Sequence, residues 1–140
     1  MPDAMPEWKK PLPTISGETK PFWDACRRNI LLIQKCGRCQ EYQFYPRGIC
    51  ATCWCEDIQW VTASGKGTVW TFTETRQNRT PGFEEEVPYV LALVELEEGV
   101  KMFTNIIECD PSEVKIGMAV EVTFVQANQQ VSIPYFKPAG

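Results

Sequence analysis

The carboxyl-terminal half of the chain contains five short runs in which apolar residues recur at the spacing of strands. In the run from Ala119 to Val125, Val120, Val122 and Phe124 alternate with smaller or more polar neighbours, which is the period of a half-buried strand. The other four runs are Thr68 to Arg76, Tyr89 to Leu96, Val100 to Ile107, and one around Ile133 to Phe136. Five short strands fit either a small closed barrel, such as the OB-fold, or a two-sheet sandwich, and the pattern leaves both open.

Turn signals separate these runs. The sequence SGKG at 64–67 precedes the first strand, and EEG at 97–99 joins the second and third as a tight hairpin. CDPSEVKIG at 109–117 predicts one turn of helix that ends at a glycine. Such short connections favour antiparallel pairing of consecutive strands.

The amino-terminal part of the chain has a different pattern. Residues 1–17 contain four prolines and predict an extended arm that is either free or lies along a partner. TKPFWDACRRN, from Thr19 to Asn29, predicts a short helix with Thr19 as N-cap and Pro21 in the first turn. Ile30 to Gln34 then predicts a short strand.

The chain therefore divides into three predicted parts. These are an arm (1–17), a helix with a cysteine-rich segment (18–63), and a barrel (64–140). Trp70 and Phe72 are expected on one strand face that suits the barrel core.

The segment CGRCQEYQFYPRGICATCWC, residues 36–55, carries five of the seven cysteines. Cys36 and Cys39 form one C-x2-C pair, Cys50 and Cys53 form a second, and ten residues separate the pairs. Two such pairs on facing hairpins supply the four soft ligands that tetrahedral zinc requires. We therefore predict a structural zinc site on these four cysteines, with Phe44 and Tyr45 covering it.

The other readings of the cysteines are weaker. Thiol oxidoreductases carry a single C-x-x-C pair at a helix start, and four thiolates leave no open position for catalysis. Cys55 competes with Cys53 as the fourth ligand, whereas Cys26 and Cys109 suit small core or edge positions.

Composition restricts the functions open to the chain. The formal net charge of −4 and a sequence pI near 4.9 argue against a nucleic-acid backbone as the main partner. With no histidine, the chain lacks the usual general base of enzymes. We expect a cytosolic protein, because the sequence shows neither a signal peptide nor a membrane span.

The order of parts resembles a known family. The helix segment, CGRC to CATC, GKGTVWTFTETR, and VPYVLALVELEEGV followed by TNI are similar to the acyl-CoA-associated OB-fold family called domain of unknown function 35. The resemblance runs from about Pro21 to Pro138. It implies a mainly β chain with an amino-terminal helix and a rubredoxin-like zinc ribbon, followed by a five-stranded OB-fold barrel. Gln40 directly follows the first C-x2-C pair, at a position where zinc ribbons often have glycine, and so departs from the usual ribbon sequence.

The resemblance also implies a partner. Members of this family accompany thiolase-superfamily enzymes, including an archaeal acetoacetyl-CoA thiolase, a steroid side-chain aldolase, a phloroglucinol acyltransferase and the benzoylsuccinyl-CoA thiolase. In these complexes the larger subunit supplies the reactive cysteine and histidines. The chain is thus expected to be a non-catalytic accessory subunit that stabilises such an enzyme and helps to form its CoA-ester site.

Two alternatives remain at this point. A zinc-ribbon and OB-fold module can bind single-stranded nucleic acid, with Trp70, Phe72, Arg76 and Arg79 as the surface. A stand-alone acyl-CoA binder would hold phosphates with Lys66, Arg76, Arg79 and Lys101. For the accessory role, exposed aromatics such as Trp23 or Phe44 would pack on the partner, although local core around the zinc explains them as well.

Overall fold

The computed structural model describes residues 8–139, so the first part of the predicted arm lies outside the described range. Within this range, the chain forms one short helix, one 3₁₀ turn at Pro111–Glu113 and eight strands. The helix is α1 (Lys20–Cys26); the strands are β1 (Leu32–Cys36), β2 (Tyr42–Gln43), β3 (Ile58–Thr62), β4 (Lys66–Thr75), β5 (Tyr89–Leu96), β6 (Lys101–Ile106), β7 (Ala119–Gln126) and β8 (Ser132–Pro138). The chain is mainly β, as predicted.

Strands β4 to β8 close into a barrel with the order β4-β5-β6-β8-β7. The β5–β6 hairpin turns at Gly99, whose φ of 95° suits a residue without a side chain. β7 closes the barrel because it pairs with both β4 and β8. Among the described strands, β6 and β8 alone pair in parallel, at Ile106 and Phe136. This closure rules out the sandwich and confirms the five-stranded OB-fold barrel.

The barrel interior is filled by alternate residues of its strands. Val90 and Val94 of β5 are 1% and 0% exposed, and Phe136 of β8 is 0% exposed. The same apolar cluster includes Phe22 from α1 and Ile33 from β1. The helix and the first strand therefore pack on the barrel and share its core.

Helix α1 is shorter than predicted. It begins after Thr19, as expected, but the Thr19 hydroxyl accepts the Ser16 N–H at 3.0 Å and makes no cap bond to the helix. It ends at Cys26, and Asn29 adopts a left-handed φ of 61° while the Ile30 N–H donates to the Ala25 carbonyl at 3.0 Å. Asparagine tolerates this conformation, which turns the chain out of the helix.

A second, three-stranded sheet with the order β2-β1-β3 carries the cysteine-rich segment. β1 lies two residues later than predicted, and β3 was not predicted at all. β3 becomes a strand by pairing along the whole of β1, with Gln34 opposite Trp60. No helix within residues 8–139 is long and apolar enough to cross a membrane.

The expectation that Trp70 shares a core-facing side with Phe72 is wrong. The register of β4 against β5 shifts between Val69 and Thr71, so a β-bulge interrupts the alternation. Trp70 is therefore 52% exposed, and the Lys101 ammonium lies 5.0 Å from its ring centre. Phe72 packs against the core.

The described part of the arm lies against the barrel of its own chain. Lys10 donates to the Tyr135 hydroxyl at 3.0 Å and pairs with Glu86 at 3.0 Å. Burial lowers the pKa of Lys10, but these two hydrogen bonds outweigh it and raise the pKa above its ordinary value. Lys10 thus stays charged and ties the arm to the barrel.

Candidate metal centre

The four predicted ligands come together at one end of the three-stranded sheet. Cys36 ends β1, Cys39 lies in the turn that follows, and Cys50 and Cys53 lie in the loop after β2. The Sγ atoms of Cys36 and Cys53 are 3.6 Å apart, as are those of Cys39 and Cys50, and all four lie within 4.8 Å of one another. Tetrahedral zinc with bonds of about 2.3 Å places sulfurs about 3.8 Å apart, so donor type and spacing both fit zinc.

The two C-x2-C turns have the same backbone geometry. In the first, the N–H groups of Arg38 and Cys39 donate to the Cys36 Sγ at 3.3 and 3.4 Å. In the second, the groups two and three positions after Cys50 donate to its Sγ at the same distances. The backbone N–H of Cys53 makes the largest contribution to the lowered pKa of the Cys50 thiol, which is about 6. These bonds favour the thiolate form of the first cysteine of each turn, the form that binds a metal, whereas burial and the neighbouring thiols raise the pKa of Cys39 and Cys53.

Each turn closes with a non-glycine residue in the left-handed region. Gln40 and Trp54 both have φ of 67°, and each donates its N–H to the carbonyl of the first cysteine of its turn at 3.0 Å. Gln40 therefore replaces the usual glycine without changing the turn. Trp54 takes the same strained position with its side chain 78% exposed, a feature that the sequence reasoning missed.

The remaining cysteines lie outside the cluster. The Cys55 carbonyl accepts the Cys50 N–H at 2.9 Å, and its sulfur accepts the Asp57 N–H at 3.3 Å. Burial raises the pKa of the Cys26 thiol to about 12 and also raises that of Cys109. Raised pKa values disfavour the thiolate, so neither thiol suits nucleophilic chemistry.

A buried polar network orders the loop between the two turns. The side-chain oxygen of Gln34 (Oε1) accepts hydrogen bonds from the side-chain amide of Gln43 at 2.8 Å and from the backbone N–H of Arg47 at 2.9 Å. The side-chain oxygen of Gln43 (Oε1) accepts a hydrogen bond from the backbone N–H of Ala51 at 2.9 Å. Both glutamines are buried. The sequence reasoning did not single out either residue.

Phe44 and Tyr45, predicted to cover the metal, make contacts with the helix and the barrel. The Phe44 ring centre lies 5.6 Å from that of Phe22 and 4.5 Å from that of Tyr45. The Tyr45 hydroxyl accepts the N–H of Phe103 on β6 at 3.4 Å. With Trp23, these rings line an apolar hollow of about 260 Å³ where helix, ribbon and barrel meet.

Two of the basic residues of the alternative functions, Arg76 and Lys101, have acidic neighbours. Arg76 pairs with Glu74 at 3.4 Å, and Lys101 pairs with Glu95 at 3.5 Å. Both ion pairs lie at the surface, where such a pair contributes little. Phe72, the second proposed stacking ring, is partly buried and packs against the core.

Two family models match separate parts of the chain. Residues 23–58 match the rubredoxin-like zinc ribbon domain of ChsH2, and residues 60–125 match its C-terminal OB-fold domain. A DUF35 domain-containing scaffold protein of Methanocaldococcus jannaschii is 37% identical over 98 residues, which cover 69% of each chain.

Two longer relatives have names that refer to acyl-CoA enzymes. A probable enoyl-CoA hydratase alpha subunit of Thermomonospora curvata is 33% identical over 137 residues, or 98% of this chain and 42% of that protein. A 3-oxo-4,17-pregnadiene-20-carboxyl-CoA hydratase alpha subunit of Mycobacterium tuberculosis is 37% identical over 127 residues. This match covers 89% of this chain and 37% of that protein. The chain thus spans about two-fifths of the length of each.

Solved structures contain the same fold. A chain in the structure titled Ltp2-ChsH2(DUF35) aldolase superposes with a TM-score of 0.83 and 32% identity, covering 92% of this chain and all of that one. A DUF35 protein from Sulfolobus solfataricus, 14% identical with a TM-score of 0.61, shares the fold. Sequence, ribbon and barrel together show that the chain belongs to the DUF35 family of zinc-ribbon and OB-fold proteins.

Proposed function

We propose that this chain is a non-catalytic accessory subunit whose zinc ribbon is held by Cys36, Cys39, Cys50 and Cys53. The cluster of four sulfurs carries this proposal, because four protein thiolates fill every position of a tetrahedral zinc. A metal with no open position cross-links the chain and activates no water. The absence of histidine from the sequence removes the most common proton-transfer group as well.

The partner in this proposal is a catalytic acyl-CoA enzyme. Two relatives are named as alpha subunits of acyl-CoA hydratases, and the superposed chain comes from a structure titled an aldolase. The family resemblance extends the proposal to a thiolase-superfamily subunit, with the small chain helping to form a CoA-ester site in the cytosol. In this proposal, the boundary between residues 63 and 64 separates the metal-dependent ribbon from the barrel.

Native mass spectrometry of the chain purified gently from its own cells tests this function. We expect one zinc per chain and a larger subunit in the same assembly, which shows acyl-CoA activity when the chain is present. A zinc-bearing chain that stays monomeric at micromolar concentration beside its acyl-CoA enzymes would contradict the accessory role. Substitution of each of the four cysteines by serine, with Cys55→Ser as the control, tests the ligand assignment separately by zinc content.

A further inference from the structure

Two segments that lie against the barrel have no backbone hydrogen bond to it. Among the described residues, no backbone group of the arm at 8–15 hydrogen-bonds to another segment. The loop between β4 and β5, residues 76–88, has backbone bonds within itself, such as those from the Phe83 N–H to the Thr80 carbonyl and from the Glu86 N–H to the Phe83 carbonyl. In the part of the chain that the structure describes, none of its backbone groups bonds to a barrel strand. Segments held without a ladder open more readily than the strands beside them.

Lys10 joins the arm to both the loop and the barrel. Its side chain is 9% exposed, and its ammonium pairs with Glu86 of the loop and donates to the Tyr135 hydroxyl of β8, each at 3.0 Å. The ammonium also lies 4.3 Å from the ring centre of Trp8 and 5.6 Å from that of Phe83. A charged group buried among such partners contributes more than an ion pair in solvent. Lys10 is therefore the main side-chain link among arm, loop and barrel.

The arm backbone lies directly on the loop at Gly82. A Cβ placed on Gly82 would lie 2.5 Å from the Lys10 nitrogen and from the Lys9 carbonyl group, which is closer than real Cβ atoms come. While the arm is seated, this position of the loop therefore has no room for a side chain. Arm and loop thus support each other through this backbone contact and through Lys10, so displacement of one removes support from the other.

The two segments cover part of an apolar surface of the barrel. A hollow of about 270 Å³ is lined on one side by Trp8 and Pro11 of the arm and by Phe83 of the loop. Leu91 of β5 and Tyr135 of β8 line its other side. Removal of the arm would take away one wall of this hollow and expose the barrel residues beneath it.

We propose that residues 8–11 and 76–88 form a clasp that opens and closes as one unit over this hollow, with the Lys10 ammonium as its fastening. When the clasp opens, the barrel stays folded, because β5 and β8 keep their ladders to β6 and β7. The clasp thereby sets how much of the apolar surface around Tyr135 is exposed. It is a property of the chain alone, so it goes beyond the accessory function and its tests need no partner.

Trypsin cleavage of the purified full-length chain tests the fastening. Cleavage after Arg79 requires local opening of the loop, so its rate reports the open population. Lys10→Met removes the ammonium and keeps an apolar stem, and we expect it to raise this rate about 10-fold or more, the usual loss for hydrogen bonds to a charged group. Lys9→Met is the matched control, because Lys9 is 52% exposed in its pair with Glu85. We expect it to change the rate by less than about 2-fold.

A pair of glycine substitutions tests the backbone contact from the side of the loop. Gly82→Ala should displace the arm, which is measured by trypsin cleavage after Lys9, and we expect cleavage about 10-fold faster, as is usual for an overpacked contact. Gly117→Ala is the matched control, since Gly117 has a similar φ of 86° but nothing within 4 Å of an added Cβ. The control carries comparable backbone strain without the contact, so cleavage after Lys9 should stay at the wild-type rate.

Hydrogen exchange in the same variants shows whether the clasp opens by itself. We expect wild-type protection of the β5 and β8 amides in both Lys10→Met and Gly82→Ala. Wild-type cleavage after Arg79 in Lys10→Met, or after Lys9 in Gly82→Ala, would overturn the proposal. Loss of protection in the barrel strands of either variant would overturn it too, because arm and loop would then unfold together with the whole chain. Failure of the wild-type chain to form any complex refutes the accessory function and leaves the clasp standing.

Discussion

The ribbon and the barrel of this protein are stabilised by different means. The barrel contains a continuous apolar core around Phe136, which is 0% exposed, whereas the loop between the cysteine pairs encloses the polar side chains of Gln34 and Gln43. Two C-x2-C turns and two glutamines provide the links that a segment of this size cannot obtain from apolar burial. The barrel thus depends on packing, whereas the ribbon relies on hydrogen bonds and, in the function proposed above, on a metal.

Loss of one metal ligand should produce the largest difference in stability between the ribbon and the barrel. With Cys36→Ser, we expect loss of zinc and unfolding of the ribbon, since structural zinc contributes on the order of 10 kcal/mol or more to such folds. Hydrogen exchange should rise across β1 to β3 and stay low in β5 and β6. The control Cys55→Ser, at a cysteine outside the cluster, should retain zinc. Equal loss of protection in the barrel would contradict the comparison.

A cavity in the shared core should destabilise both regions together. Phe136→Ala should reduce the free energy of unfolding by about 3–5 kcal/mol, the usual cost of removing a buried phenylalanine side chain. Phe103→Ala, at an exposed position, should change it by less than about 0.5 kcal/mol. Denaturant unfolding followed by tryptophan fluorescence measures both. A smaller loss for Phe136 than for Phe103 would show that the core is wrongly placed.

Breaking the glutamine network should affect the ribbon alone. Gln34→Leu leaves the Gln43 amide and the Arg47 N–H without their acceptor, which costs about 1–3 kcal/mol when the donors are buried. Gln59→Leu makes the same change at an exposed position on β3, the strand paired with β1, and should have little effect. Exchange rates of the amides at 43–51 measure the difference. Equal effects of the two variants would exclude a specific network.

Relief of the left-handed strain at Trp54 should have the smallest effect and the opposite sign. Trp54→Gly should stabilise the ribbon by about 1 kcal/mol, because glycine adopts positive φ without steric cost. Since the side chain is 78% exposed, little packing is lost. Gln40→Gly, at the equivalent position of the other turn, should have a similar effect. Zinc retention during thermal unfolding measures both, and destabilisation by Trp54→Gly would mean that the indole is needed in the free chain.

Much of the fold was predictable because its signals are local. β5 occupies the predicted residues Tyr89–Leu96, since a short apolar run that begins after a proline and ends before the EEG turn identifies a strand. The spacing of the cysteines predicted a common cluster, and the structure brings those four sulfurs within 4.8 Å. Their role as zinc ligands remains a prediction.

Other features depend on contacts between distant parts of the chain. β3 exists because it pairs with β1, about 25 residues earlier in the sequence. A bulge in β4 exposes Trp70, although alternation alone placed it with Phe72. Tyr45 reaches across to Phe103, and Lys10 to Tyr135 and Glu86, and no local pattern encodes these partners.

The local sequence pattern therefore predicted a mainly β chain and the position of the cysteine pairs, but it left the barrel and the sandwich open. Periodicity and short spacings carry that information because neighbouring residues share one strand or one turn. Which strands close the barrel, and which rings face solvent as Trp70 does, became evident only from the folded chain. Those features arise where separate elements meet, so they depend on register and closure of the whole barrel.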